Sequence, residues 1–252
     1  NDGRAALSAA QESNAPLGIK ALIPIGDRPF LAFVISGLAD AGYEQVCLVV
    51  APDADLLVSR YSGAAAPTRV RVSFAVQREA RGTADAVLAA RDFVGDDLFL
   101  VINSDNYYSL AVLRALRLLG RPGLVGFDRE ALVRGGNIDP ERIARFALLE
   151  VRPNGDLARI VEKPDAATLA AMGPHAPISM NCWMFGPAIF SACAAIEPSP
   201  RGELELAAAV EHAIAGGERF AVIPLADTVL DMTSRADIAS VTSRLATINV
   251  RL

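Results

Sequence analysis

The sequence predicts an α/β fold, a single domain built on a Rossmann-like, mostly parallel sheet. Apolar runs of strand length recur without the in–out alternation of a half-wetted sheet, at residues 45–51 (Gln-Val-Cys-Leu-Val-Val-Ala) and 98–103. Strands covered on both faces read this way. Segments with helical apolar spacing separate them, the pattern that builds parallel sheets. The chain has 252 residues, 52% of them hydrophobic, which suits one large α/β core left undivided. Aromatics are only 6%, so Val, Ile, Leu and Ala must do most of the filling.

Residues 1–19, rich in Ala, Ser and Asn, read as a mobile loop. A helix is expected over residues 29–42, where Phe30, Phe33, Val34, Gly37 and Leu38 recur at helical spacing and Gly42 closes the segment. Strands follow at 45–51 and 70–77, then a helix over 83–93 and a strand over 98–103. Beyond residue 125 the pattern changes. Strands are expected at 144–151, 157–161 and 178–185, with Asn154-Gly155 marking a hairpin turn. Helices are expected at 187–196 and 203–215, a strand at 220–224, and a further helix from Ser234. A parallel sheet of this kind is built outward from a first strand whose C-terminal turn carries glycines for phosphate. Nothing before Lys20 supplies either, so an upstream apolar strand and a glycine-rich, Arg-containing loop are expected to be missing from these residues.

The formal charge of −5 and pI near 5.2 give no basic field for nucleic acid. Small anions must instead be held by local cations. Cys47, Cys182 and Cys193 are widely spaced and read as reduced, buried thiols. No apolar run approaches the ~20 residues of a spanning helix, and the start lacks a signal pattern, so no membrane partner is expected and a cytoplasmic location is the default. His175 and His212 have no spacing that makes a zinc site or triad. Oligomeric state stays open, a homo-oligomer included.

Several residues carry candidate chemistry. Asp105 ends the apolar run 98–103 within Asn103-Ser104-Asp105-Asn106. It is either a turn former or a carboxylate placed for Mg²⁺ where ligands bind open α/β sheets. Asp231 either caps the following helix or supplies a second carboxylate; Mg²⁺ takes one or two of these with phosphate oxygens and waters. Lys20 is a surface lysine or a phosphate contact, and Glu162-Lys163-Pro164 a solvated pair or a binding turn. Gln77 can donate and accept, as a base edge requires, and Gly82 permits close backbone approach; otherwise they are a core-edge glutamine and a helix-starting glycine. Asn181 interrupts an apolar strand and needs partners.

In order, Gly18-Ile19-Lys20-Ala21-Leu22-Ile23-Pro24, Gln77 with Arg81-Gly82-Thr83-Ala84, Asp105, Glu162-Lys163-Pro164, Arg201-Gly202-Glu203-Leu204-Glu205-Leu206 and Leu230-Asp231 resemble the sugar-1-phosphate nucleotidylyltransferases of the glucose-1-phosphate thymidylyl- and uridylyltransferase kind. The resemblance runs over nearly the whole chain. It implies the nucleotide-diphospho-sugar transferase (GT-A-like) fold, with a nucleotide half over about residues 1–125 and a sugar-phosphate half over about 126–252. It further implies Mg²⁺-dependent transfer of a nucleotidyl group from an NTP, a pyrimidine one favoured, to a sugar 1-phosphate. By resemblance Lys20, Lys163 and Asp105 are catalytic, Asp105 and Asp231 hold the metal, and Gln77, Gly82 and Thr83 hold the base. Glu162, Lys163, Asn181 and Ala147 hold the sugar phosphate. Glu203 and Glu205 are expected to position loops through Arg201. Two departures stand out: Ser104 replaces the family's glycine before its aspartate, and Phe146-Ala147 replaces its aromatic-glycine pair, which narrows the sugar pocket. A GT-A-type glycosyltransferase or a non-catalytic nucleotide-sugar-binding regulatory subunit is the alternative. A dinucleotide dehydrogenase is not, because no Gly-x-Gly-x-x-Gly follows a strand.

Overall fold

In the computed structural model, residues 20–234 and 236–252 are described; the loop expected over residues 1–19 lies outside them. Lys20–Leu22 form a 3-10 turn, and short strands β1 (Pro24–Ile25) and β2 (Arg28–Pro29) pair antiparallel behind it. Pro29, extended at φ −69° and ψ 151°, starts the helix Phe30–Asp40. Eight of its residues are buried, as a helix apolar on most faces requires. Strand β3 (Gln45–Val50) pairs in parallel with β4 (Arg71–Val76) across the helix Asp55–Arg60.

The central sheet comes from β5 (Phe99–Ile102), β7 (Gly123–Phe127), β10 (Cys182–Phe185) and β11 (Ala221–Leu225), in the order β11-β7-β10-β5. Strand β10 is antiparallel to β5 and β7, while β11 is parallel to β7. Three strands therefore share a direction and one opposes them, the mostly parallel sheet expected. Gly126 lets β7 approach closely, since a Cβ there would lie 2.8 Å from Val222 Cγ1 and 2.9 Å from Pro177 Cβ. Strand β6 (Asn106–Tyr108) pairs antiparallel with β12 (Val229–Asp231), and β8 (Leu148–Val151) with β9 (Leu157–Val161). Among the described residues no strand hydrogen-bonds both β3 and β5.

The larger apolar core draws on both halves of the chain, from Phe30 and Ile35 to Phe127, Leu148, Val229 and Val241. The second packs under the helix Leu206–Ala215 and collects aromatics: Trp183 stacks on Phe185 at 5.5 Å, and Phe220 meets Phe185 edge-on at 6.0 Å. Cys182 and Cys193 are buried and Cys47 partly so, all three free; burial pushes the Cys193 thiol up to about 12.

Five elements differ from their sequence-based bounds, among them the helix expected from Ser234, which begins at Asp237. The helix expected over 83–93 divides into Thr83–Ala89 and Arg91–Val94 at Ala90, which sits at φ −88°, ψ 2°. The strand expected from residue 144 starts at Leu148, behind a short helix Pro140–Ile143 that Pro140 initiates. The strand expected from 178 reaches only from Cys182, because Asn181 at φ 54° breaks it. The helix expected from Glu203 begins at Leu206, because Leu204 spends its main chain on another loop.

Candidate active site

The β6–β12 ladder assembles an aspartate corner. Asp231 lies opposite Asn106, and Met232 N donates to the Asp105 carbonyl at 2.9 Å, so residues distant in sequence meet at one strand end. The Lys20 ammonium donates to the Thr233 carbonyl at 2.6 Å and lies 3.9 Å from Asp105 Oδ2. Burial raises the Asp105 carboxyl above its ordinary value, the negative charge of Asp231 adds to that, and Lys20 opposes it. Asp231 is 4% exposed. Its Oδ2 accepts from Arg142 Nη2 at 2.8 Å and its Oδ1 from the Thr233 hydroxyl. Arg142 also donates to Asp237 Oδ1 at 2.9 Å, while Asn137 brackets the Asp231 main chain through its carbonyl at 2.7 Å and its N–H at 2.8 Å.

This donor set fits a magnesium ion. The charge of Asp231 adds to the cost of ionising Asp105, which a divalent cation would relieve, and Mg²⁺ asks for no more than one or two carboxylates. A carboxylate has about four lone-pair positions, so Asp231 keeps acceptor capacity beside Arg142 and Thr233. Among the described residues no group of three or more His, Cys, Asp or Glu side chains gathers for a metal.

Glu162 and Lys163 follow β9, and Asn181 precedes β10. Lys163 (φ 45°) and Asn181 (φ 54°) are the two non-glycine residues with left-handed backbone among those described. Such conformations are uncommon in lysine and persist only where the surroundings impose them. The buried Tyr108 hydroxyl supplies part of that constraint, donating to the Met180 carbonyl at 2.5 Å beside Asn181. Ser179 N donates to the Ala147 carbonyl at 2.9 Å, and the Ala147 side chain, 7% exposed, packs into the second core. Glu162 retains surface exposure, yet burial of its carboxyl raises its pKa, and Glu205 adds to this while Lys163 and Arg201 oppose it. Arg201 pairs with Glu205 at 2.8 Å and with Glu203 at 3.4 Å, the loop-positioning contacts expected of them.

Gln77 follows β4 and is held by its main chain to the Val50 carbonyl at 2.9 Å. Gly82 has φ 117°, and a Cβ there would lie 2.5 Å from the Leu204 carbonyl oxygen. The close approach is to the protein's own backbone: Leu204 N donates to Arg81 O at 2.6 Å and Ala84 N to Leu204 O at 2.9 Å. The Thr83 hydroxyl accepts from Leu206 N at 2.9 Å. Gly82 and Thr83 thus tie the base-side loop to the segment 201–206, a structural duty beside the ligand role the sequence suggests.

The structure joins Lys20, Asp105 and Asp231 in one corner and Gln77, Gly82 and Thr83 in one loop; Glu162 and Lys163 are electrostatically coupled to the segment 201–205. Sequence reasoning missed Arg142, Asp85 and Tyr108. Asp85 is the fourth residue after Arg81, a helical pairing signal; nothing local marks Arg142 or Tyr108.

A model of the nucleotidyl transferase family matches residues 17–240. The chain belongs to the nucleotidyl transferase family. It is 25% identical over 213 residues to UTP–glucose-1-phosphate uridylyltransferase AglF of Haloferax volcanii, covering 84% of this chain and 82% of that protein. It is 31% identical over 202 residues to a glucose-1-phosphate thymidylyltransferase of Streptomyces griseus, covering 79% of this chain but 52% of that protein, so the chain spans about half the length of that relative. The solved structure of a UDP-glucose pyrophosphorylase complexed with UDP-glucose superposes with a TM-score of 0.74 at 15% identity, covering 96% of this chain and 97% of that one; the likeness shows a shared fold.

Proposed function

We propose that this protein transfers a nucleotidyl group from a nucleoside triphosphate, a pyrimidine one favoured, to a sugar 1-phosphate. A phosphate oxygen of the sugar 1-phosphate forms a bond to the α-phosphorus, the bond from that phosphorus to the β-phosphate bridge breaks in line, and pyrophosphate leaves. No covalent protein intermediate is required. The observation that carries this reading is the left-handed backbone at both Lys163 and Asn181, residues that the resemblance in sequence separately implies for the sugar phosphate. Backbone strain of this kind collects at ligand clamps.

Lys163 draws in the nucleophilic phosphate and Glu162 accepts from sugar hydroxyls. Lys20, anchored on Thr233 beside Asp105, offsets charge on the triphosphate. Asp105 and Asp231 would hold Mg²⁺, which supplies charge neutralisation of the triphosphate. Holding both substrates in attack geometry accounts for much of the acceleration such transfers need. Pyrophosphate release in a panel of NTPs and sugar 1-phosphates, with and without Mg²⁺, tests the reading. Release in no combination would overturn it. The grip of Arg142 on Asp231 favours one second reading, a non-catalytic nucleotide-sugar-binding subunit, which predicts tight binding of a nucleotide sugar with no pyrophosphate release.

A further inference from the structure

The Gln77 side chain has a fixed orientation that its own chemistry reveals. Its Nε2 donates to the Gly82 carbonyl at 3.0 Å and to Asp85 Oδ2 at 3.0 Å. Neither partner has a proton to give back. The second Asp85 oxygen accepts from Arg81 Nη2 at 2.5 Å. Burial works to raise the Asp85 pKa, but the hydrogen bonds from Gln77 and Arg81 outweigh it and hold the carboxyl below its ordinary value, so it stays ionised. A flipped amide would aim Oε1 at a carbonyl and a carboxylate, acceptor against acceptor. Both Nε2 hydrogens are therefore committed, and among the described residues no donor reaches Oε1.

A free amide reads a base edge with donor and acceptor together. This one offers an acceptor alone. At the centre of the pairing edge, uracil, thymine and guanine carry a ring N–H, whereas cytosine and adenine carry a bare ring nitrogen. We propose that Asp85 is a positioning residue for base selection: by taking one amide hydrogen of Gln77 while the Gly82 carbonyl takes the other, it leaves only Oε1 for the ligand, which selects a uracil- or thymine-type ring N–H and rejects cytosine. The proposal rests on the nucleotidyl-transfer reading for placing a pyrimidine beside Gln77, and narrows that pyrimidine to the two bases with an N3–H.

The test compares UTP with CTP and with N3-methyl-UTP, which lacks the proton but keeps the rest of uracil. The native protein should prefer UTP to either by about tenfold or more in kcat/KM, the penalty of facing an acceptor with no donor. In Asp85→Asn the new amide can donate to Gln77 Oε1, so that only the Gly82 carbonyl still favours the original orientation and the side chain can turn to present Nε2 to a base. UTP-over-CTP preference should then fall by about tenfold, chiefly through KM, with kcat at saturating UTP within about twofold. Equal weakening of UTP and CTP in Asp85→Asn would mean a merely structural loop contact and would overturn the proposal, as would native tolerance of N3-methyl-UTP, which needs no variant. UDP and CDP binding by calorimetry runs in parallel. A UDP preference lost in Asp85→Asn supports the proposal even if no triphosphate is turned over, in which case only the catalytic reading falls; turnover with equal use of UTP and CTP overturns the proposal and leaves catalysis standing.

Discussion

The base-side loop and the aspartate corner are built by opposite means. In the loop, Gln77, Arg81, Gly82 and Asp85 hold one another across sequence separations of 4, 5 and 8 residues. In the corner, Asp231 depends on Arg142 and Asn137, 89 and 94 residues away, and the Asn181 segment on Tyr108, 72 residues from Met180. The loop is partly exposed and its charges meet water; the corner holds Asp231 and Asp237 almost wholly buried. Disturbing the loop should change which ligand binds, and disturbing the corner should change whether the chain folds.

The largest effect is expected at Arg142. Arg142→Gln leaves buried Asp231 and Asp237 without their cation, and breaking a buried pair from one side costs about 3–5 kcal/mol. Urea denaturation measures this, and millimolar Mg²⁺ should recover part of the loss by binding the bared carboxylates. A midpoint unchanged from native would show the corner to be as tolerant as the loop.

Asp105→Asn should cut turnover by about 10²–10³-fold, the scale of losing one electrostatic stabiliser, with the fold retained. The pH dependence has a definite sign. Burial, followed by Asp231, raises the Asp105 pKa in the folded state from 3.8, so the folded form holds its proton more tightly than the unfolded. The native protein should lose stability relative to Asp105→Asn as pH rises from about 3.8 through the raised value. Turnover should rise over the same window as the carboxylate ionises. Parallel stability curves for the two proteins would show that Asp105 is not strained by its neighbours.

A smaller effect is expected where the two regions meet. Gly82→Ala drives a Cβ against the Leu204 carbonyl and imposes φ 117° on an L-residue, a cost of about 1–3 kcal/mol. Thermal unfolding gives the number, and a neutral result would mean the loop detaches freely from residues 201–206. The smallest effect should have the opposite sign. Lys163→Gly relieves the φ 45° backbone and should stabilise by about 1 kcal/mol while raising KM for sugar 1-phosphate more than KM for NTP. Loss of stability at this position would remove the strain argument.

The same contrast explains what the sequence disclosed. Unbroken apolar runs marked β3, β4 and β5 to within a residue or two, but not their burial: among the described residues these strands are only half-covered, with Val49 and Val76 exposed. β7 drew no expectation: two glycines interrupt Gly123-Leu124-Val125-Gly126-Phe127, and only the close approach of Val222 and Pro177 shows why a strand needs Gly126 there. As candidates, Gln77 and Asp105 were legible because polar residues just past a strand are local signals, and Gly82 because a glycine that opens a helix is one too. Arg142 was not: an arginine on a short helix reads as surface, and only the fold brings it to Asp231. Asn181 was legible as an interruption, but its left-handed backbone, and so the shortening of β10, was not.

The seam between Arg81–Ala84 and Leu204 is stitched by main-chain atoms in two of its bonds, Leu204 N to Arg81 O and Ala84 N to Leu204 O. Every amino acid except proline offers those atoms, so the two main-chain bonds make no demand of their own on the side chain at position 204. The length of the seam is not free. One residue inserted between Arg201 and Leu206 would carry the Leu204 carbonyl past Ala84 and pull Leu206 N off the Thr83 hydroxyl. Over generations this stretch should therefore tolerate a replacement more readily than a gap, because a gap shifts the hydrogen-bond register of every contact in the seam at once.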